Sequence, residues 1–91
     1  MSKRKETVTR VIDGDTIMTS RRKHPIRLAN VNAPEKGKRG GTQATNHLKG
    51  LVEGQQVTVT TVARDKYRRA VAQVKVGRSS VNAAMNKKLK G

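Results

Sequence analysis

Asp13 and Asp15 flank a single glycine in V-I-D-G-D-T-I, and Arg27, Asn32 and Glu35 follow in I-R-L-A-N-V-N-A-P-E, after the basic stretch S-R-R-K-H-P. If these segments pair, acidic oxygens and a guanidinium converge where the strands end, and Arg69 adds a second cation from a later turn. Such a set suits phosphate chemistry, because the planar arginine fork meets two phosphate oxygens at once. Oxygen donors without histidine or cysteine suit a hard cation such as calcium or magnesium. Asp beside a glycine commonly serves only the turn, bonding its own backbone. The nearness of Arg27, Asn32 and Glu35 is what gives the D-G-D turn chemical weight. His24 and His47 fit no metal-ligand spacing.

Composition narrows the partner. Lys and Arg number 21 against 6 Asp and Glu, a formal charge of +15 that a polyanion would neutralise, so DNA or RNA is the leading partner. The positive residues sit in turns and between strands instead of along one helical face, which argues against membrane binding. Ninety-one residues leave room for one domain, residues 1–91, with a small core of Val, Ile, Leu, Ala and Met, since Phe and Trp are absent. No cysteine is present, so there is no disulfide framework and no thiolate site. The start M-S-K-R-K-E has no apolar run after it, which predicts a cytoplasmic protein without a secretory signal; residues 1–6 are expected to fray. With no long apolar face left over, a monomer is expected.

The elements that must position these residues follow from periodicity. Thr7 to Ile12 and Thr16 to Thr19 read as strands around the D-G-D turn, and Ile26 to Val31 as a third that Pro34 stops. Glu35 to Gly41 has no apolar residue and three glycines, and reads as a mobile basic loop. Thr42 to Val52 carries Ala44, Leu48, Leu51 and Val52 on one helical stripe, with Gly54 as its stop. Val57 to Ala63 and Ala70 to Val76 are two more strands around the turn R-D-K-Y-R-R. Ser79 or Ser80 caps a last helix through Val81, Ala84, Met85 and Leu89. Five short strands with a helix between the third and fourth give a mainly β, α+β fold: a five-stranded barrel of the OB type, closed so that so small a core has no bare edges.

V-I-D-G-D-T, R-L-A-N-V-N-A-P-E, D-K-Y-R-R and S-V-N-A-A-M, in this order, resemble the staphylococcal nuclease (thermonuclease) family over nearly the whole chain, from about Val8 to Leu89. The resemblance implies an OB barrel with helices that hydrolyses phosphodiester bonds in DNA and RNA with one calcium ion. It makes Asp15 a direct metal ligand, Asn32 the position of the second carboxylate ligand, and Ala33 a ligand through its backbone carbonyl. It makes Glu35 the base that activates water, and Arg27 and Arg69 the pair that holds the phosphate. Lys66 and Tyr67 match residues near the nucleotide's terminal phosphate, Asp13 an outer acid, and Asn82 a structural asparagine. Two positions depart from the family pattern: Asn32 replaces an aspartate, which implies weaker calcium binding, and Arg68 stands where glycine is common, where it adds a further phosphate contact or alters the turn.

Two functions compete on these residues. One is a calcium-dependent nuclease acting on single-stranded or locally opened nucleic acid; the other is a non-catalytic OB module with a degenerate metal site. A dedicated single-strand binder normally offers several stacking rings, and only Tyr67 is present. Asp15 and Glu35 would repel a polyanion in a pure binder, which favours the enzyme, whereas Asn32 favours the binder. A basic protein-binding or ribosome-associated module explains the charge but not the acids.

Overall fold

The computed structural model describes residues 3–35 and 37–90. Its elements run β1 (Lys3–Asp13), β2 (Thr16–Thr19), β3 (Ile26–Leu28), α1 (Gly41–Val52), β4 (Gln56–Arg64), β5 (Ala70–Val76), β6 (Ser79–Ser80) and α2 (Val81–Lys90). The sheet order β3-β2-β1-β4-β5 returns on itself, because β3 also pairs with β5. That last pairing is the only parallel one among the described strands, with Ile26, Arg27 and Leu28 opposite Ala70, Val71 and Ala72. The result is a closed five-stranded barrel with two helices, the OB-type α+β architecture that the element order predicts. The two-residue β6, not foreseen in the sequence, extends β5 beyond the seam.

Alternation along the strands fills the barrel. Val8, Val11, Ile17, Ile26, Leu28, Val57, Val59, Ala72 and Val74 are buried, and Ala44, Leu48 and Val52 of α1 join Val81 and Met85 of α2 in the same cluster. β-Branched and small side chains suit this pleated interior, so the core needs no aromatic ring. Tyr67, the single aromatic residue, is exposed. Ser80 Oγ accepts the Ala83 N–H and caps α2, as its position suggests. Among the described residues no helix is long and apolar enough to cross a membrane.

Two sequence expectations need correction. The charged start does not fray from Lys3 onward: Lys3 to Thr7 pair with Thr60 to Gln56 of β4, and the ladder supplies the order. Met1 and Ser2 lie outside the described residues. The third strand stops at Leu28 instead of running to Val31. Asn30 has φ of 60°, a left-handed conformation that asparagine tolerates and a strand cannot contain, so the chain turns well before Pro34.

Glu6 explains why the start is held. Its side chain is buried, accepts the Thr19 hydroxyl, and accepts Arg22 Nε at 2.8 Å and Nη2 at 2.8 Å. Burial opposes its charge, but the bonds from Arg22 and Thr19 and the nearby Arg4 outweigh it and hold the carboxyl below its ordinary 4.5. A carboxyl lowered by folding contributes stability that is complete above the unfolded-chain value and is lost as pH falls through the folded one. Tm should therefore drop as pH goes below about 4.5, and Glu6→Gln should flatten that drop in a thermal melt series, at a cost of about 2–3 kcal/mol at neutral pH. A second clamp is Asn82, buried at the start of α2. It accepts the Val74 N–H at 2.9 Å and donates to the Ala29 and Ala72 carbonyls, both at 3.0 Å, so one amide ties α2 to both strands of the seam. Asn82→Ala removes all three of these bonds, although the Ala72 carbonyl keeps the Ala29 N–H, and should cost about 2–3 kcal/mol in denaturant titration; a loss under about 0.5 kcal/mol would show that the clamp is idle.

Candidate active site

The β1–β2 hairpin turns through Gly14 and Asp15, and neither has positive φ, so the glycine is there for space. A Cβ on Gly14 would lie 2.6 Å from that of Ala44 and 2.8 Å from that of Ala33. The hairpin tip can thus press between α1 and the segment after β3. This closeness lets the Ala33 N–H donate to Asp15 Oδ2 at 3.2 Å, while the other oxygen accepts the Thr16 hydroxyl at 2.8 Å.

Arg27 lies opposite Thr16 in the β2–β3 ladder and so emerges beside Asp15. Its Nη1 donates to the carbonyls of Leu28 and Val31; its Nη2 donates to Asn32 Oδ1 at 2.9 Å and sits 3.6 Å from Asp15 Oδ2. One guanidinium therefore holds the turn that follows β3. Across the seam, Asp65 plays the matching part for Arg69. Its Oδ1 accepts the Tyr67 and Arg69 N–H groups, and its Oδ2 accepts Arg69 Nε at 2.6 Å. Loss of hydration opposes the charge on Asp65, but those bonds from Arg69 and Tyr67 prevail and keep its carboxyl below the usual range. Arg69 gives its Nε to Asp65, so its Nη groups remain for a ligand.

These elements meet around one hollow of about 480 Å³ lined by Asp13, Asp15, Arg27, Asn32, Ala33, Pro34, Glu35 and Arg69. Seven of the sequence-predicted residues are thereby together. The three from the β4–β5 turn are not among its lining residues. Lys66 and Tyr67 are exposed beside it, with the Tyr67 ring 5.2 Å from Lys66 Nζ and 5.6 Å from Arg69 Cζ, two cation–π contacts. Arg68 faces another hollow, shared with Arg22, Lys23, His24 and Arg64, and adopts φ of 67° where glycine would be unstrained. Asp65 had no role assigned from the sequence. Its signal was local, an aspartate opening a turn and able to bond the backbone two residues on.

The lining suits a hard cation by chemistry, with carboxylates at Asp13, Asp15 and Glu35, the Asn32 amide oxygen, and no histidine or cysteine. No group of three or more His, Cys, Asp or Glu side chains among the described residues is arranged to hold a metal ion. The Asn32 oxygen also already accepts Arg27.

The Staphylococcal nuclease homologue family matches residues 25–88. An "Uncharacterized endonuclease" of Escherichia coli O157:H7 is 51% identical over 69 residues, which cover 74% of this chain and 45% of that protein. A "Micrococcal nuclease" of Shigella flexneri is 39% identical over 69 residues, covering 74% of this chain and 40% of that protein. The chain thus spans less than half the length of either relative. The family match over most of the chain and the similarity to these relatives show that the chain belongs to the staphylococcal nuclease family.

Proposed function

We propose that this chain is a calcium-dependent nuclease that hydrolyses phosphodiester bonds in single-stranded or locally opened DNA or RNA. The observation that carries this reading is the convergence of Asp15, Glu35, Arg27 and Arg69 on one hollow. Arg27 and Arg69 would meet the two nonbridging oxygens of the scissile phosphate, whose negative charge grows as the fifth bond to phosphorus forms. Both guanidiniums are held in place before substrate arrives, by backbone carbonyls and by Asp65, so little reorganisation is needed at the moment of reaction. Glu35 takes a proton from the attacking water as the water oxygen bonds to phosphorus; the ester P–O bond breaks with its electron pair going to the leaving oxygen, which takes a proton from solvent. Asp15, Asn32 and the Ala33 carbonyl would hold calcium, with Asp13 behind them, and calcium when bound would supply further positive charge at the phosphate. Lys66 and Tyr67 lie where they can meet an adjacent nucleotide, and Arg68 a phosphate farther along.

A second reading rests on Asn32. An uncharged ligand already engaged by Arg27 weakens the cation site, and a family member with that change could bind nucleic acid without cleaving it.

Incubation with single-stranded DNA and RNA separates the two. Cleavage should require calcium and stop with chelator, and Glu35→Gln should lower kcat by about 10²- to 10⁴-fold while strand binding persists. Binding without cleavage under any divalent ion would leave the second reading in place. Asn32→Asp should tighten calcium binding about tenfold or more in isothermal titration calorimetry, because it adds a charged oxygen to the donor set; unchanged affinity would remove Asn32 from that set.

A further inference from the structure

Away from the hollow that holds Glu35, the barrel has a second one of about 480 Å³, and its lining is almost wholly basic: Arg4, Arg21, Arg22 and Arg64 with Glu6 and Thr61. Strand pairing explains the convergence. The start of β1 runs antiparallel to β4, which ends at Arg64, and the chain leaving β2 at Thr19 delivers Arg21 and Arg22 to the same end. The one acid here, Glu6, is buried and taken by Arg22. Among the described residues, Arg4, Arg21 and Arg64 have no ion-pair partner, and all three are exposed. Three guanidiniums without an ion-pair partner around one depression repel one another, at a cost in stability that a polyanion would relieve.

A succession of neighbouring residues leads from this hollow toward the candidate active site, with which it shares no lining residue. Arg22 and Arg64 line both it and a smaller neighbour that adds Lys23, His24 and Arg68. Arg68 immediately precedes Arg69, which lines the active-site hollow. Arg68 holds φ of 67°, a conformation that costs a non-glycine residue roughly 1 kcal/mol or more. Arg68 lines the smaller hollow and directly precedes Arg69 of the candidate site, and strain kept in such a residue points to function.

Building on the nuclease reading, we infer that Arg4, Arg21 and Arg64 form a second phosphate-binding stretch, along which a single-stranded polynucleotide runs past Arg68 into the active-site hollow. Arg22 and Arg64 belong to both basic hollows, and Arg68 adjoins Arg69 of the candidate site, so a strand held by one cation is offered the next. The contacts are guanidinium to phosphate, so they select a charged strand and not a base sequence. Tyr67, the one ring beside this route, supplies at most one stacking contact. An OB fold commonly covers about 4–16 nucleotides, so a dodecamer reaches this stretch while a dinucleotide stays in the first hollow.

The test is binding of fluorescent strands to Glu35→Gln protein, by anisotropy across a series of salt concentrations. For single strands the slope of log K against log salt is about −0.7 per phosphate neutralised. Arg4→Gln/Arg21→Gln/Arg64→Gln should therefore flatten the dodecamer slope by about 2 and weaken dodecamer binding by about tenfold or more, with little change for a dinucleotide. The triple Arg→Lys protein should retain most of the slope, since charge is kept. A melt of each variant confirms that the fold is intact. An unchanged dodecamer slope in the Gln variant, or an equal loss for dinucleotide and dodecamer, overturns the inference, as does tighter binding of duplex than of single strand. Cleavage by the unmutated protein is scored separately: a flattened slope without any cleavage supports the basic stretch and rejects the nuclease reading, while cleavage with an unchanged slope does the reverse.

Discussion

The seam between β3 and β5 is the constraint on which the molecule depends. Only three residue pairs form it, Ile26 to Leu28 against Ala70 to Ala72. Without them the sheet would be an open ribbon, with Asp15 and Arg27 on one half and Asp65 and Arg69 on the other. A three-residue parallel pairing is weak in its own ladder bonds, and the structure supports it from inside and above. Ile26, Leu28 and Ala72 are buried beneath it, and Asn82 bridges the Ala29 and Ala72 carbonyls from α2. Because side chains alternate, burying Ile26 and Leu28 sends Arg27 to the outer face, where the hollow shared with Asp15 and Arg69 lies. Through Asn82 the last helix thus supports the seam that brings the two arginines together.

The few acids are used to aim the many cations. Glu6 holds Arg22, Asp15 lies beside Arg27, and Asp65 holds Arg69. An arginine on a free side chain would have to surrender rotamer entropy when a phosphate arrives. One already fixed by a carboxylate or by backbone carbonyls has surrendered it during folding. The protein can therefore carry a charge of +15 and still present particular guanidiniums at particular points.

Much of the architecture was legible in the chain, and the failures have local causes. Val57, Val59, Ala72 and Val74 alternate as a half-buried strand must, and their burial follows. Ala44, Leu48 and Val52 lie on one helical stripe and are buried as such. The end of β3 was misplaced because Pro34 is the stronger breaker on paper, whereas Asn30 turns the chain first through its own backbone angle. The start was misjudged because Lys3 to Glu6 looks like any charged terminus; its order comes from β4 and from Arg22, more than a dozen residues away. Of the residues lining the candidate hollow, Asp15, Arg27 and Glu35 are grouped by type and nearness in the sequence. Asp65 did not, since an aspartate in a turn looks the same whether it shapes the turn or aims an arginine.

By itself the amino-acid order determined the kinds of groups available, the strand and helix periods, and a charge that calls for a polyanion, because these depend on residue identity and short-range spacing. Which groups share a hollow was decided by barrel closure. Arg27 and Arg69 are 42 positions apart and meet only through the β3–β5 register, while Arg4 and Arg64 meet only through β1 and β4. Tertiary structure likewise separated neighbours, turning Arg68 and Arg69 into different hollows by a single left-handed residue. Contacts at long separation come from packing a common core, and no local pattern encodes them.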